Sequence, residues 1–329
     1  MIKKTLQYKI TEKDQGKTVE QFLRSKGYSH RLVVKLRNSP TGLTIGGELA
    51  FTIHRLQAGE ILIATLEEEN SQNIVPVELP LNIVYEDEDI LVVNKDAGVP
   101  IHPSQGHFDH TLANAVAWYY QSKGQTLVYR AINRLDRDTT GLLVIAKHLL
   151  AGCILSDQML NRQIHRQYRA IVCGKTEKEG IIDAPIGRAE DSTVLRRIDF
   201  EHGETARTRY RLLSYDEEKD LSYISLKLDT GRTHQIRVHM SWQGHPLFND
   251  ERYGGDRILK GTTFSKYKQF IENCFAVMPR HALHAQSLGF VHPMTHEAVY
   301  FESELPDDFR ALLEKWDTYA AASKESDNG

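Results

Sequence analysis

The stretch Asn133-Arg134-Leu135-Asp136-Arg137-Asp138-Thr139-Thr140-Gly141 sets an arginine two residues before a carboxylate, in a polar segment that ends at a glycine. An apolar run over residues 142–146 follows at once and reads as a strand buried on both faces. Loops at strand ends are where a rigid scaffold holds reactive groups. A carboxylate so placed can act as a base or a nucleophile. The same nine residues could equally make a charged turn of alternating sign, so the rest of the chain must decide.

Two further stretches carry candidate groups. One is Arg166-Gln167-Tyr168-Arg169-Ala170-Ile171-Val172-Cys173-Gly174. The other is Leu228-Asp229-Thr230-Gly231-Arg232-Thr233-His234-Gln235-Ile236-Arg237-Val238-His239-Met240, with Gly244-His245-Pro246-Leu247 and Tyr253-Gly254-Gly255 behind it. Other chemistries lack their residues. No GxxxxGK[ST] and no strand-linked GxGxxG is present, so no nucleoside triphosphate or dinucleotide is implied, and there is no GxSxG elbow. His102, His107 and His110, and His281 and His284, form clusters without Cys or acidic ligands at metal spacing, and read as turn and surface histidines. Asp136-Arg137-Asp138 is a DxD, the metal–nucleotide signature of some glycosyltransferases, but the Arg137 guanidinium opposes a cation between the two carboxylates.

The elements that would position these groups follow from periodicity and punctuation. In residues 1–70 the pattern predicts an edge strand at 6–10 and a short helix from Thr18, with Val19, Phe22 and Leu23 on its apolar side and Gly27 at its end. It then predicts a second helix over 30–38 capped by Ser29, and strands at 43–45 and 61–66. Residues 67–73 are polar and aperiodic and read as a linker, which places a second unit over 79–320 after a connection at 71–78. There the pattern predicts strands at 83–85 and 90–94, a helix from Thr111 to Gly124, the strand 142–146, a helix over 148–162 and a strand over 167–173. Strands at 181–182, 205–214 and 223–228 follow, then a helix opened by Thr230-Gly231-Arg232 and running to 242. A turn-rich stretch, strands near 285–291 and 299–302, a helix over 306–319 and a frayed tail at 321–329 complete the chain. Strands dominate without a helix after each, so the class is α+β with a central, mostly antiparallel mixed sheet.

The 329 residues suggest about two domains. Three cysteines, Cys153, Cys173 and Cys274, form no CxxC pair and fit a reducing compartment, the cytoplasm. No apolar run reaches the ~18–20 residues that span a bilayer, and no secretory signal opens the chain. The net charge of −3 conceals an uneven distribution. Glu60, Glu67 to Glu69, Glu78 and the run from Glu86 to Asp89 are acidic with no Lys or Arg between Leu56 and Asn94, whereas Arg130, Arg134, Arg137, Lys147, Arg162, Arg166 and Arg169 concentrate positive charge. A basic face suited to a polyanion is compatible with such a chain, as are two runs of solvated surface.

Taken together, the three stretches closely resemble the RluA-type pseudouridine synthases, which isomerise uridine in ribosomal or transfer RNA. The family's "NKPAG" is Asn94-Lys95-Asp96-Ala97-Gly98 here. Its "HRLDxxTSGLLxxAK" appears with Asn133 for His and Thr140 for Ser. "KxYxAxVxG", "TGRTHQIRVH" and "RHALHAxxLxFxHP" (Arg280 to Pro293) match as well, and the resemblance spans about residues 78–305. Departures fall at Asp96, Asn133 and Asn249-Asp250, beside the reactive segment. The front segment resembles the alpha-L RNA-binding domain found in a ribosomal small-subunit protein and before many RNA-modifying enzymes, in a degenerate form with Gly42-Leu43-Thr44-Ile45-Gly46-Gly47 in the motif loop.

The resemblance implies a pseudouridine synthase fold and a reaction without cofactor, metal or nucleotide. Asp136 would act on the ribose, by attacking the anomeric carbon or by removing a ribose proton to give a glycal. Arg237 would hold Asp136 charged and aimed, and Tyr168 would lie against the base with its hydroxyl available for proton transfer at carbon 5. Their plain alternatives are a solvated helix arginine and a core tyrosine. The target base must be flipped out, and Arg134 would enter the vacated stack unless it pairs with Asp138 or Asp136. Arg232 and His234 are further RNA-contact candidates. Arg207, Arg209 and Arg211 share one strand face and suit phosphates, and Arg31, Lys35 and Arg37 could contact RNA from the front helix. Large-subunit ribosomal RNA is the expected partner, with transfer RNA as alternative and no membrane. An RNA-binding protein without catalysis and a metal-dependent glycosyltransferase using Asp136 and Asp138 are the rivals.

Overall fold

The computed structural model describes residues 2–69, 74–104, 106–190, 192, 194–217, 219–257 and 265–314. The expected tail, most of the expected linker and the end of the last helix lie outside them.

The front segment builds a four-stranded sheet in the order β1-β4-β2-β3, from β1 (Ile2–Lys9), β2 (Leu43–Ile45), β3 (Glu48–Leu49) and β4 (Ile61–Glu68). Helices α1 (Val19–Ser25) and α2 (His30–Arg37) pack on it. Thr18 caps α1 in a reciprocal box with Gln21, and the Ser29 hydroxyl accepts from the Leu32 N–H at the start of α2. Phe22, Leu23, Leu32, Leu36, Leu43 and Leu62 form the core between helices and sheet. Two boundaries differ from expectation. β1 begins at Ile2 and ends at Lys9, and β4 runs into the segment expected to be linker, because all eight residues of β1 pair with β4. Backbone pairing of that length overrides the polar side chains of Glu67 and Glu68.

A nine-stranded sheet follows, in the order β5-β6-β7-β14-β8-β13-β12-β9 with β15 beside β14. Its strands are β5 (Asn82–Glu86), β6 (Ile90–Lys95), β7 (Thr140–Ala146), β8 (His165–Cys173), β9 (Glu179–Asp183), β12 (Arg207–Asp216), β13 (Leu221–Leu228), β14 (Leu283–Val291) and β15 (Ala298–Glu302). A separate hairpin joins β10 (Ile186–Arg188) to β11 (Arg196–Ile198). Every pairing in the large sheet is antiparallel except β7 with β14. The sheet is covered on both faces, which is why β7 is buried along its whole length. α3 (Leu112–Ser122) and α5 (Gln235–Trp242) lie on one side, over Val93, Leu143, Tyr168 and Leu226. On the other, α4 (Leu149–Leu160) covers Val92 and Val144, while α6 (Ser265–Val277) and the helical residues 307–314 cover Ile171 and Leu221.

α5 starts at Gln235, later than the expected opening at Thr230. The Gln235 carboxamide oxygen accepts from the Arg232 N–H and the Thr230 hydroxyl, so the residues that look like a helix start form a turn gathered onto that side chain. α6 has no counterpart among the sequence expectations, although Ile271, Cys274 and Met278 are buried at helical spacing.

Candidate active site

The loop that carries Asp136 is fixed from several directions. Asn133, at the position where the resemblance has His, donates its amide to the Leu142 carbonyl (3.3 Å) and accepts from the Val144 N–H (3.0 Å), stapling the loop to β7. Lys95, at the end of β6, is buried and donates its ammonium to the carbonyls of Arg137 (2.8 Å) and Asp96 (2.7 Å). Burial brings its pKa down to about 7. Arg280 donates to the Asp138 carbonyl (3.1 Å) and grips Asp308 with a fork of 2.7 and 2.9 Å. Thr139 bonds His281 through their Oγ1 and Nε2 at 2.8 Å. Two buried basic side chains thus hold consecutive carbonyls of one loop.

Arg237 comes from α5, on the opposite side of the resulting cleft. Its Nη1 donates to Asp136 Oδ2 at 3.1 Å, while Nε and Nη2 clasp Asp250 at 2.7 and 2.8 Å. Its guanidinium also stacks on the Tyr253 ring, 4.9 Å from the centroid. Burial pushes the Asp136 carboxyl upward, but His234, Arg237 and His281 beside it and the hydrogen bond from Arg237 outweigh this and hold it below the usual carboxylate value. Since burial brings His234 itself down to about 4, the permanent cation is Arg237. Asp136 is therefore an ionised, largely enclosed carboxylate on the wall of an open cleft, with Oδ2 bonded to Arg237 and Oδ1 without a hydrogen bond among the described residues.

That cleft is lined among others by Arg134, Asp136, Arg166, Tyr168, His234 and Arg237. Tyr168 enters from β8 with its ring in the core. Burial raises its pKa; Arg166 opposes the shift and the Asp136 charge adds to it. Asp136, Tyr168 and Arg237, far apart in sequence, thus converge, and a carboxylate, a phenol and a guanidinium line one open cleft.

The other candidates are distributed unevenly. Arg134 is exposed at the cleft and makes no ion pair with Asp136 or Asp138 among the described residues; Asp138 is instead forked by Arg137. Arg232 lines the cleft but is tied to Glu204 and to the Thr205 carbonyl. Arg207 pairs with Asp183 and Arg209 with Asp229, so two of the three cations on that face of β12 are neutralised locally. Arg31 and Lys35 lie on α2, outside the cleft lining. His281 and His284, expected on turns or the surface, are buried, since each bridges β14 or its approach to a hydroxyl, Thr139 and Thr140 respectively. Asp250, Tyr253 and Arg280 were not singled out as site residues by type or spacing; in the Asn249-Asp250 pair, usually Gly-Asp in the resemblance, Asp250 matches and Asn249 is the departure. Asn249 takes the left-handed conformation (φ +57°) that glycine and asparagine tolerate, which accounts for that departure.

The profile of the RNA pseudouridylate synthase family matches residues 89–242. A Bacillus subtilis protein called "Uncharacterized RNA pseudouridine synthase YjbO" is 37% identical over 298 residues, 90% of this chain and 98% of that one. "Ribosomal large subunit pseudouridine synthase D" of Vibrio cholerae is 40% identical over 255 residues, 77% of this chain and 76% of that one. Among solved structures, "Human RNA Pseudouridylate Synthase Domain Containing 1" superposes with a TM-score of 0.53 at 28% identity, covering 69% of this chain and 84% of that one.

Proposed function

The chain belongs to the RNA pseudouridylate synthase family, isomerases acting on RNA, and on that footing we propose that it converts uridine in large-subunit ribosomal RNA with Asp136 as the reacting carboxylate. The contact between Arg237 and Asp136 at the floor of the cleft carries this reading. In the reaction the bond from uracil N1 to the ribose breaks, the base turns, and carbon 5 takes its place. Asp136 Oδ1 meets the sugar, either bonding the anomeric carbon or taking a ribose proton. Arg237 keeps that carboxylate charged without moving when substrate arrives. Tyr168 flanks the base, and its hydroxyl is available to relay the proton that carbon 5 must lose, passing its own proton on as it takes that one up. Arg134, free of the acidic residues beside it, occupies the gap left by the everted nucleotide.

The ribosomal substrate is supported by the relatives named for it, such as the Vibrio cholerae enzyme, and it would place the enzyme in the cytoplasm. Among the described residues no helix is long and apolar enough to cross a membrane. The small front sheet with α1 and α2 would act as the RNA-binding unit, presenting Arg31 and Lys35 to the substrate.

Release of tritium from RNA labelled at uracil carbon 5 tests the reading. Wild-type enzyme should release it, and Asp136→Asn should be slower by at least about 10³-fold with RNA affinity within a few-fold. Turnover retained in that variant would remove Asp136 from its role, and no release by wild type would favour an RNA-binding protein without catalysis. Carbodiimide mapping of RNA from a strain lacking the gene would then locate the uridine and separate ribosomal from transfer RNA.

A further inference from the structure

His234 is held in a way that the roles above do not use. It sits at the N-cap of α5 with left-handed backbone angles (φ +56°, ψ 20°), a conformation that costs a non-glycine residue energy and that functional sites retain. Its Nδ1 lies 2.8 Å from the Tyr253 hydroxyl, which accepts the backbone N–H of Arg196 at 3.1 Å. Among the described residues the only acceptor for the Tyr253 hydroxyl proton is that Nδ1. Burial keeps the imidazole neutral, so its one proton resides on Nε2. Nε2 has no hydrogen-bond partner among the described residues. It lines the cleft 4.0 Å from Asp136 Oδ1, too far for a hydrogen bond and near enough that a substrate seated beside the pair could touch both.

We propose that His234 is a catalytic residue whose Nε2–H donates a hydrogen bond to the uracil anion while the base is detached. The inference rests on the assignment of Asp136 above. When the N1–C1′ bond breaks, its electron pair leaves with uracil, and the negative charge spreads over N1, O2 and O4. The sugar is satisfied by Asp136, through a new bond from its oxygen to C1′ or by loss of the C2′ proton to it. His234 transfers no proton in this step. Reacting atoms meet the carboxylate at roughly 3–3.5 Å, and N1 is bonded to the atom under attack or to its neighbour. A donor 4.0 Å from the same oxygen therefore lies within reach of the departing base. An N–H fixed in advance where charge develops is worth most in an enclosed site. The string from Arg196 through Tyr253 sets the proton on the correct nitrogen, and the left-handed backbone aims it.

The test compares leaving groups. A fluorine at carbon 5 makes uracil a more stable anion that needs less help to depart. Total RNA is prepared from a strain lacking the gene, grown with or without 5-fluorouracil, and single-turnover loss of the target uridine or fluorouridine is followed by digestion and mass spectrometry. His234→Asn suits the left-handed turn, but its amide stops at the depth of Nδ1; His234→Gln reaches the depth of Nε2. On ordinary RNA, H234N should slow cleavage by about 10²-fold with dissociation constants within a few-fold, and H234Q should recover most of the rate. On fluorinated RNA the H234N penalty should shrink to about tenfold or less. Equal penalties on both RNAs, or wild-type rates for H234N, overturn the proposal while leaving the function assigned above intact. A wild-type enzyme that consumes no uridine in either RNA overturns both.

Discussion

Arg237 divides its donors between two carboxylates, and the division has a measurable cost. Asp250 takes the fork at 2.7 and 2.8 Å and is itself almost wholly buried, while Asp136 receives a single N–H. Replacing Asp250 by Asn sets an amide N–H against a guanidinium N–H and removes one of the two charges that balance a buried cation. Loss of one partner from such a pair costs about 3–5 kcal/mol. Urea denaturation of Asp250→Asn should show a loss of that order, together with a fall in kcat, because Arg237 is then free to leave Asp136; an unchanged midpoint would show the fork to be dispensable. At this scale the sequence exposed the types of the proposed reacting groups through their motifs, but not their partners. The segments bearing Asp136 and Arg237 are about a hundred residues apart, and nothing in either states that Asp250 completes the cation's shell. His234 read as one more polar residue in a basic motif, because a left-handed backbone at a non-glycine residue leaves no mark in the sequence.

Among elements, the junction of β7 and β14 decides where the reactive loop ends. It is the one parallel pairing in the sheet, formed through His284–Ala285 against Thr140–Gly141. Gly141 has φ +116°, and a Cβ built there would lie 2.2 Å from the carbonyl oxygen of Ala285. Gly141→Ala must therefore adopt a disfavoured conformation and also push β7 and β14 away from each other. We expect a destabilisation of about 3 kcal/mol or more and lost activity, read from thermal unfolding and tritium release; a variant as stable as wild type would mean that the strands can separate freely. The apolar run of β7 was legible because a strand buried on both faces leaves an unbroken hydrophobic record. Two helices were harder. The start of α5 was misplaced because Thr230-Gly231-Arg232 has the composition of a helix start while its polar groups serve the Gln235 side chain. α6 was missed because its few buried positions are diluted by charged and polar residues and it follows a turn-rich stretch.

For the molecule as a whole, the uneven charge along the chain proves to be partly internal. Glu86 accepts from Tyr119, Tyr120 and Lys147, Asp87 pairs with His292, and Asp89 pairs with His148 and with Lys4 from the front sheet. The front segment is thereby tied to the large sheet, a junction strengthened where Gly27 admits the Ile154 side chain of α4. Histidines set the acid limit. His234, His281 and His284 are each brought by burial to about 4, below the ordinary 6.5. The unfolded chain binds protons there that the folded chain refuses, so the histidine share of stability is intact above pH 6.5 and is lost as pH falls toward 4. Each histidine contributes about 1.4 kcal/mol per pH unit within that window. Urea midpoints taken at about pH 6.5, 6.0 and 5.5, below the titration of Lys95, should fall step by step; a flat series would mean that these rings are charged in the folded state.

The grip of Arg280 on both the Asp138 carbonyl and Asp308 has a consequence for biosynthesis. A growing polypeptide makes the loop that carries Asp136 well before it makes Arg280 and Asp308, which brace that loop. A nascent chain that has not yet reached Asp308 therefore holds the loop without the fork that steadies Arg280.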